Sequence, residues 1–135
     1  MSHLQNKSDI FKVSAVLLHD SDNYSAVAHS AYYSCYQLLK HIWLHVMKKS
    51  EEELEQTHSP RMGSHEFLIN QIADYIKKSG KKGCELYSRD FSKNIVSLKK
   101  LRVSADYEDS LFDRVSSSKS LLLSTGVINI LNKYK

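Results

Sequence analysis

The 135-residue chain is predicted to fold as one all-α domain over residues 1–135, an up-and-down helical bundle of four to five helices. Three observations predict it. Apolar residues recur at spacings of three and four from end to end, and no segment alternates with the period of a half-buried strand. A single proline and four glycines leave little to interrupt a helix. Residues that favour helix starts and stops collect between the periodic segments.

The first helix is expected over about Lys7–His19, with Ile10, Val13 and Leu17 at helical spacing and Ser14 and Leu18 beside them. The turn Asp20–Ser21–Asp22–Asn23 is rich in N-capping side chains, so a helix should begin after it. That second helix, about Tyr24–Lys48, is the longest. Val27, Ala31, Cys35, Leu38, Ile42 and Val46 form one stripe, and Tyr32, Tyr36, Leu39, Trp43 and Met47 a second beside it. Two adjacent stripes make an apolar face wider than a surface helix needs, which places this helix at the centre.

The pattern breaks over Glu51–Met62. The next helix starts either at Ser59–Pro60, a cap followed by a first-turn proline, or at Ser64 after Gly63. It carries Phe67, Leu68, Ile72, Tyr75 and Ile76 and ends near Ser79–Gly80. A basic turn, Gly80–Lys81–Lys82–Gly83, leads into a fourth helix over about Cys84–Arg102, with Tyr87, Phe91, Ile95 and Leu98 on one face. The fifth covers about Asp109–Asn132, with Leu111, Val115, Leu122, Val127, Ile130 and Leu131 as its apolar set. Gly126 within it costs about 1 kcal/mol relative to alanine, which marks a local break or a close helix contact.

The composition narrows the function. No basic segment followed by an apolar run opens the chain, and no stretch nears the roughly 20 apolar residues of a membrane span, so a cytoplasmic protein without membrane association is expected. Cys35 and Cys84 are far apart and read as buried free thiols. His41 and His45 share a helix face, which is half of a helical metal site. Without an HExxH motif or a neighbouring acid they read as an ordinary polar face, and no metal or cofactor is expected. There is no phosphate-binding glycine loop and no GxSxG elbow.

Charge is unevenly spread. The net +4 hides nine basic residues between Lys77 and Arg102, opposed there by Glu85 and Asp90 alone, and an acidic cluster at Glu51, Glu52, Glu53 and Glu55. Such a basic stretch is either a solvated surface or a face for RNA or an acidic protein. At about 100° per residue, Arg89, Lys93 and Lys100 share one face of the fourth helix and form the candidate RNA-binding set. Arg102 falls instead with the apolar residues. An arginine turned that way needs a partner, and Asp106 stands four residues on, with Tyr107 adding a ring and a hydroxyl. His29, just before the Tyr32–Tyr33 pair, and Tyr33 itself could both face this site. His58, Arg61 and His65 would make a phosphate-binding cluster if folding gathered them.

The segment Arg102–Val103–Ser104–Ala105–Asp106–Tyr107 resembles the R-x-x-x-D-Y signature of small bacterial HEPN-domain proteins. The helix SAVAHSAYYSCYQLLKHIW (Ser25–Trp43) resembles the paired-tyrosine helix of the same branch, and a helix opening near Ser64–His65–Glu66–Phe67 precedes the signature in the same order. The resemblance covers nearly the whole chain. It implies a helical bundle that commonly forms a homodimer. It also implies either metal-free ribonuclease activity or partnership with a minimal nucleotidyltransferase in a toxin–antitoxin or phage-defence module.

The ribonuclease members place a histidine after their arginine with four to six residues between. Here Asp106 follows Arg102 with three residues between, and no histidine occurs after His65. Arg61 and His65 also have three between and lie on the wrong helix, and Ser30 stands where related sequences often carry an arginine. The resemblance thus points first to a partner module without its own catalysis. The alternative is a variant endoribonuclease, with Arg102 on phosphate, Tyr107 or His65 moving the proton, and Asp106 orienting them. A third reading is a dimeric scaffold in which an Arg102–Asp106 bridge is purely structural.

Overall fold

The computed structural model describes residues 2–56 and 63–135. Among them run six α-helices and no strand: α1 (His3–Asp20), α2 (Tyr24–His41), α3 (Glu51–Gln56), α4 (Ser64–Lys77), α5 (Cys84–Tyr107) and α6 (Arg114–Leu131). No helix among the described residues is long and apolar enough to cross a membrane. The proposed start at Ser59–Pro60 and the side chains of His58 and Arg61 lie outside the described residues.

α2 occupies the centre, against α1, α5 and α6, with α4 reaching it beside α5. Both of its stripes are used: Val27, Ala31, Tyr32, Cys35, Leu39 and Ile42 are wholly buried, and Leu38 and Trp43 nearly so. Beyond His41 the helix widens into one π-type turn over Ile42–Val46, where the Met47 amide bonds to the Ile42 carbonyl at 2.8 Å. The wider turn lets three consecutive residues, His41, Ile42 and Trp43, face the interior. The Trp43 indole then donates to the Ser50 carbonyl at 2.8 Å and closes the bend.

The short α3 is the element that the broken pattern after Glu51 conceals. The Ser50 hydroxyl accepts from the Glu53 amide at 3.0 Å, and the acidic first turn suits a helix N-terminus. Leu54 anchors it in the core.

Two helices present faces other than those expected. On α1, Ile10, Val13 and Leu17 are 63%, 59% and 61% exposed, while Ser8 and Ala15 are buried. Small residues let α1 lie close on α2, with the Ser8 hydroxyl donating to the Ser34 carbonyl at 2.6 Å, and the aliphatic stripe is left facing outward. α6 starts later than expected because Asp113, not Asp109, caps it: its carboxylate accepts from the Ser116 amide at 2.9 Å. Leu111 is therefore in the preceding link and exposed, as are Val115 and Leu122. Ser117, Ser120 and Ser124 are buried in their place. The hydroxyls of Ser120 and Ser124 donate to carbonyls of their own helix, and Ser117 shares a hydrogen bond with His19, so the burial orphans none of the three.

Gly126 marks a close contact, not a break. A Cβ there would lie 3.3 Å from the Asn94 amide nitrogen of α5. Cys35 is a buried free thiol, whose ionisation burial pushes up to about 12, but Cys84 opens α5 and is only partly buried.

Candidate functional site

α5 continues through Asp106 to Tyr107, so the R-x-x-x-D-Y segment is its last two turns. These turns meet the tyrosine-bearing face of α2 and the first turn of α4. α2 supplies His29, Tyr33 and Tyr36 at successive helical spacings, with the wholly buried Tyr32 beside them. His65 stands at the start of α4.

Arg102 is the centre of the cluster, with its side chain 13% exposed. Its Nη2 donates to the Tyr33 hydroxyl at 2.9 Å. Its guanidinium carbon lies 5.5 Å from the Tyr32 ring centre, 5.4 Å from that of Tyr33 and 5.7 Å from that of Tyr107. Burial opposes the charge, but the Tyr33 hydrogen bond and the surrounding groups outweigh it, so Arg102 holds its proton more firmly than usual.

The same-helix partner expected from the sequence is present but loose. Arg102 Nε and Asp106 Oδ2 are 3.7 Å apart, beyond hydrogen-bond reach, and Nε is buried without a partner among the described residues. Asp106 turns its Oδ2 to His29 Nδ1, at 2.9 Å. A carboxylate only accepts, so His29 donates from Nδ1, and its side chain is half-exposed. That ring also packs on Tyr33, 4.8 Å between centres.

His65 occupies a different environment. Its Nδ1 shares a 2.9 Å hydrogen bond with the Tyr32 hydroxyl, and its ring stacks on Tyr36 at 4.0 Å. Burial, followed by the positive charges of Lys99, Arg102 and Lys40, pushes its pKa down to about 4. Burial also raises the pKa of Tyr32 and of Tyr36, so both keep their protons.

The four residues singled out as catalytic candidates thus come together unequally. Arg102, Asp106 and His65 converge on the α2 tyrosines, whereas Tyr107 touches the cluster with its ring and is otherwise 74% exposed. Arg89, Lys93 and Lys100 do share one face of α5, but it is the solvent side, away from the buried Phe91, Ile95 and Leu98. Sequence reasoning did not single out Tyr36 or Lys99 as site residues. Tyr36 was legible in principle, since it lies one turn beyond Tyr32.

Set against family models, curated proteins and solved structures, the chain matches none.

Among the described residues no group of three or more His, Cys, Asp or Glu side chains could hold a metal ion. His41 and His45 stack on each other at 5.3 Å, and His41 bonds to the Ser2 hydroxyl at 2.7 Å. What remains is an aromatic cage around one cation, with two histidines of opposite character at its rim. His65 is neutral and a weak base. His29 is oriented by a carboxylate in the manner of an acid–base histidine.

Proposed function

We infer that the chain is a HEPN-like up-and-down bundle acting as a binding module. Its partner on this reading is a nucleotidyltransferase in a bacterial toxin–antitoxin or phage-defence system, and the module lacks catalysis of its own. The observation that carries this reading is the enclosure of Arg102. Its guanidinium is committed to Tyr33 and to three aromatic rings, and is largely withdrawn from solvent. His65, one of the proton carriers named from the sequence, has a pKa near 4, far from the value that serves acid–base chemistry at neutral pH. A homodimer belongs to the same reading, supported by the exposed aliphatic row Ile10, Val13 and Leu17 on α1. Co-expression with the nucleotidyltransferase of the same genetic locus tests it: the two chains purify as one complex. Independent elution of both chains contradicts it.

One observation favours a second reading, a metal-independent endoribonuclease with a variant site. His29, held by Asp106 at 2.9 Å and beside Arg102, has the arrangement of a proton-transfer group next to a phosphate-stabilising cation. On this reading His29 replaces Tyr107 and His65 as the proton carrier. RNA cleavage in the presence of a chelator, abolished by both His29→Ala and Arg102→Ala, is its required signature.

A further inference from the structure

The outward side of α5 carries a pattern that the Arg102 site does not use. From Leu86 to Val103 the exposed residues are Leu86, Arg89, Lys93, Val96, Lys100 and Val103. Their separations are three, four, three, four and three. This is the seven-residue repeat by which one helix presents a straight seam to another, and it runs about 26 Å along the helix. A solvated face needs no aliphatic residues, yet Leu86, Val96 and Val103 are 49%, 42% and 38% exposed at regular places in the seam. The seam borders two hollows, one of about 690 Å³ at Leu86 and Arg89 and one of about 590 Å³ beside Val96, Lys100 and Val103.

We propose that this seam docks an amphipathic, acidic α-helix of a partner protein, with aliphatic side chains against Leu86, Val96 and Val103 and carboxylates against Arg89, Lys93 and Lys100. The charges select the occupant. A second copy of α5 would set cation against cation in either direction: a parallel pair aligns Lys93 with Lys93, and an antiparallel pair centred on the seam aligns Arg89 with Lys100. RNA would satisfy the cations but would desolvate three aliphatic side chains on a seam none of whose six residues is an aromatic on which a base could stack. Glu66 and Glu108 line the second hollow together with Lys100 and restrict where an acidic helix can sit. The inference rests on the partner-protein reading above and gives that partner a surface separate from Arg102.

The probe is a synthetic helical peptide of roughly 24 residues, long enough to run the seam, with Leu and Glu alternating at the same three–four spacing. Its binding to the full chain is followed by fluorescence anisotropy. The acidic peptide is expected to bind, and the triple variant Arg89→Glu, Lys93→Glu, Lys100→Glu to weaken it by about tenfold or more. The same variant should gain affinity for a peptide with Lys in place of Glu, a reversal that mere loss of folding cannot produce. Failure of the acidic peptide to bind, or binding indifferent to the reversal, overturns the proposal. So does an RNA oligonucleotide that binds through these cations while the peptide is ignored, or self-association of the chain that the triple variant abolishes. None of these outcomes bears on complex formation with the nucleotidyltransferase, which remains the separate test of the partner reading.

Discussion

The guanidinium of Arg102 and the hydroxyl of Tyr33, 69 residues apart in sequence, meet at 2.9 Å where α5 crosses α2. This contact ties the two motifs that stand out in the sequence, the paired tyrosines and R-x-x-x-D-Y, into one structure. Tyr33→Phe removes the acceptor and is expected to cost about 1 kcal/mol, and Arg102→Ala about 2 kcal/mol or more, since the charge-assisted bond and the packing on the rings go together. A double-mutant cycle in urea should return a coupling of roughly 1 kcal/mol. Zero coupling contradicts the assignment.

His65 makes stability depend on pH in a defined direction. Its folded pKa, about 4, lies below the ordinary 6.5, so the unfolded chain takes up the proton first as the medium is acidified. The stabilisation from neutral His65 is complete above about pH 6.5 and drains away as pH falls towards 4. His41, whose pKa is lowered by burial and by its neighbours His45 and Lys135, acts in the same sense. The thermal midpoint should therefore fall across this window, and less steeply in His65→Gln. Identical slopes for the two proteins contradict the account of the His65 environment.

At Gly126 the sequence and the packing pull in opposite directions. Alanine gains about 1 kcal/mol of helix propensity, and its methyl group meets only the end of the flexible Asn94 side chain at 3.3 Å. Gly126→Ala is expected to raise stability by about 0.5 kcal/mol. A loss in chemical denaturation would show that Asn94 cannot move aside.

The fate of the apolar residues shows what the sequence could and could not convey. Both stripes of α2 were legible because a wide apolar face has only one use in a small domain, and the Phe91, Ile95 and Leu98 row of α5 for the same reason. α1 and α6 misled. Each packs through small residues, Ser8 and Ala15 on one and Ser117, Ser120 and Ser124 on the other, and hydrophobic periodicity gives serine no weight. At the site, Arg102 was correctly turned inward by the helical count, but its nearest partner lay on another helix. Spacing along one helix reports Asp106; it does not report that Tyr33 is closer and that His29 claims the aspartate.

The inverted face of α1 can be checked directly. Ile10→Ser and Leu17→Ser should each change the stability of the isolated subunit by no more than about 0.5 kcal/mol. Ser8→Leu, which forces a large side chain between α1 and α2 and removes the bond to the Ser34 carbonyl, should cost about 2 kcal/mol. The opposite ranking in urea denaturation contradicts the described packing.

The central claim is that the chain acts as a binding module and that its enclosed Arg102 cluster has no catalysis of its own. The direct measurement is cleavage of a labelled RNA by the purified chain, with chelator present, across pH 5 to 8, compared with Arg102→Ala and His29→Ala. The account predicts no cleavage above the background shared by all three proteins. Cleavage by the native chain that both substitutions abolish contradicts it.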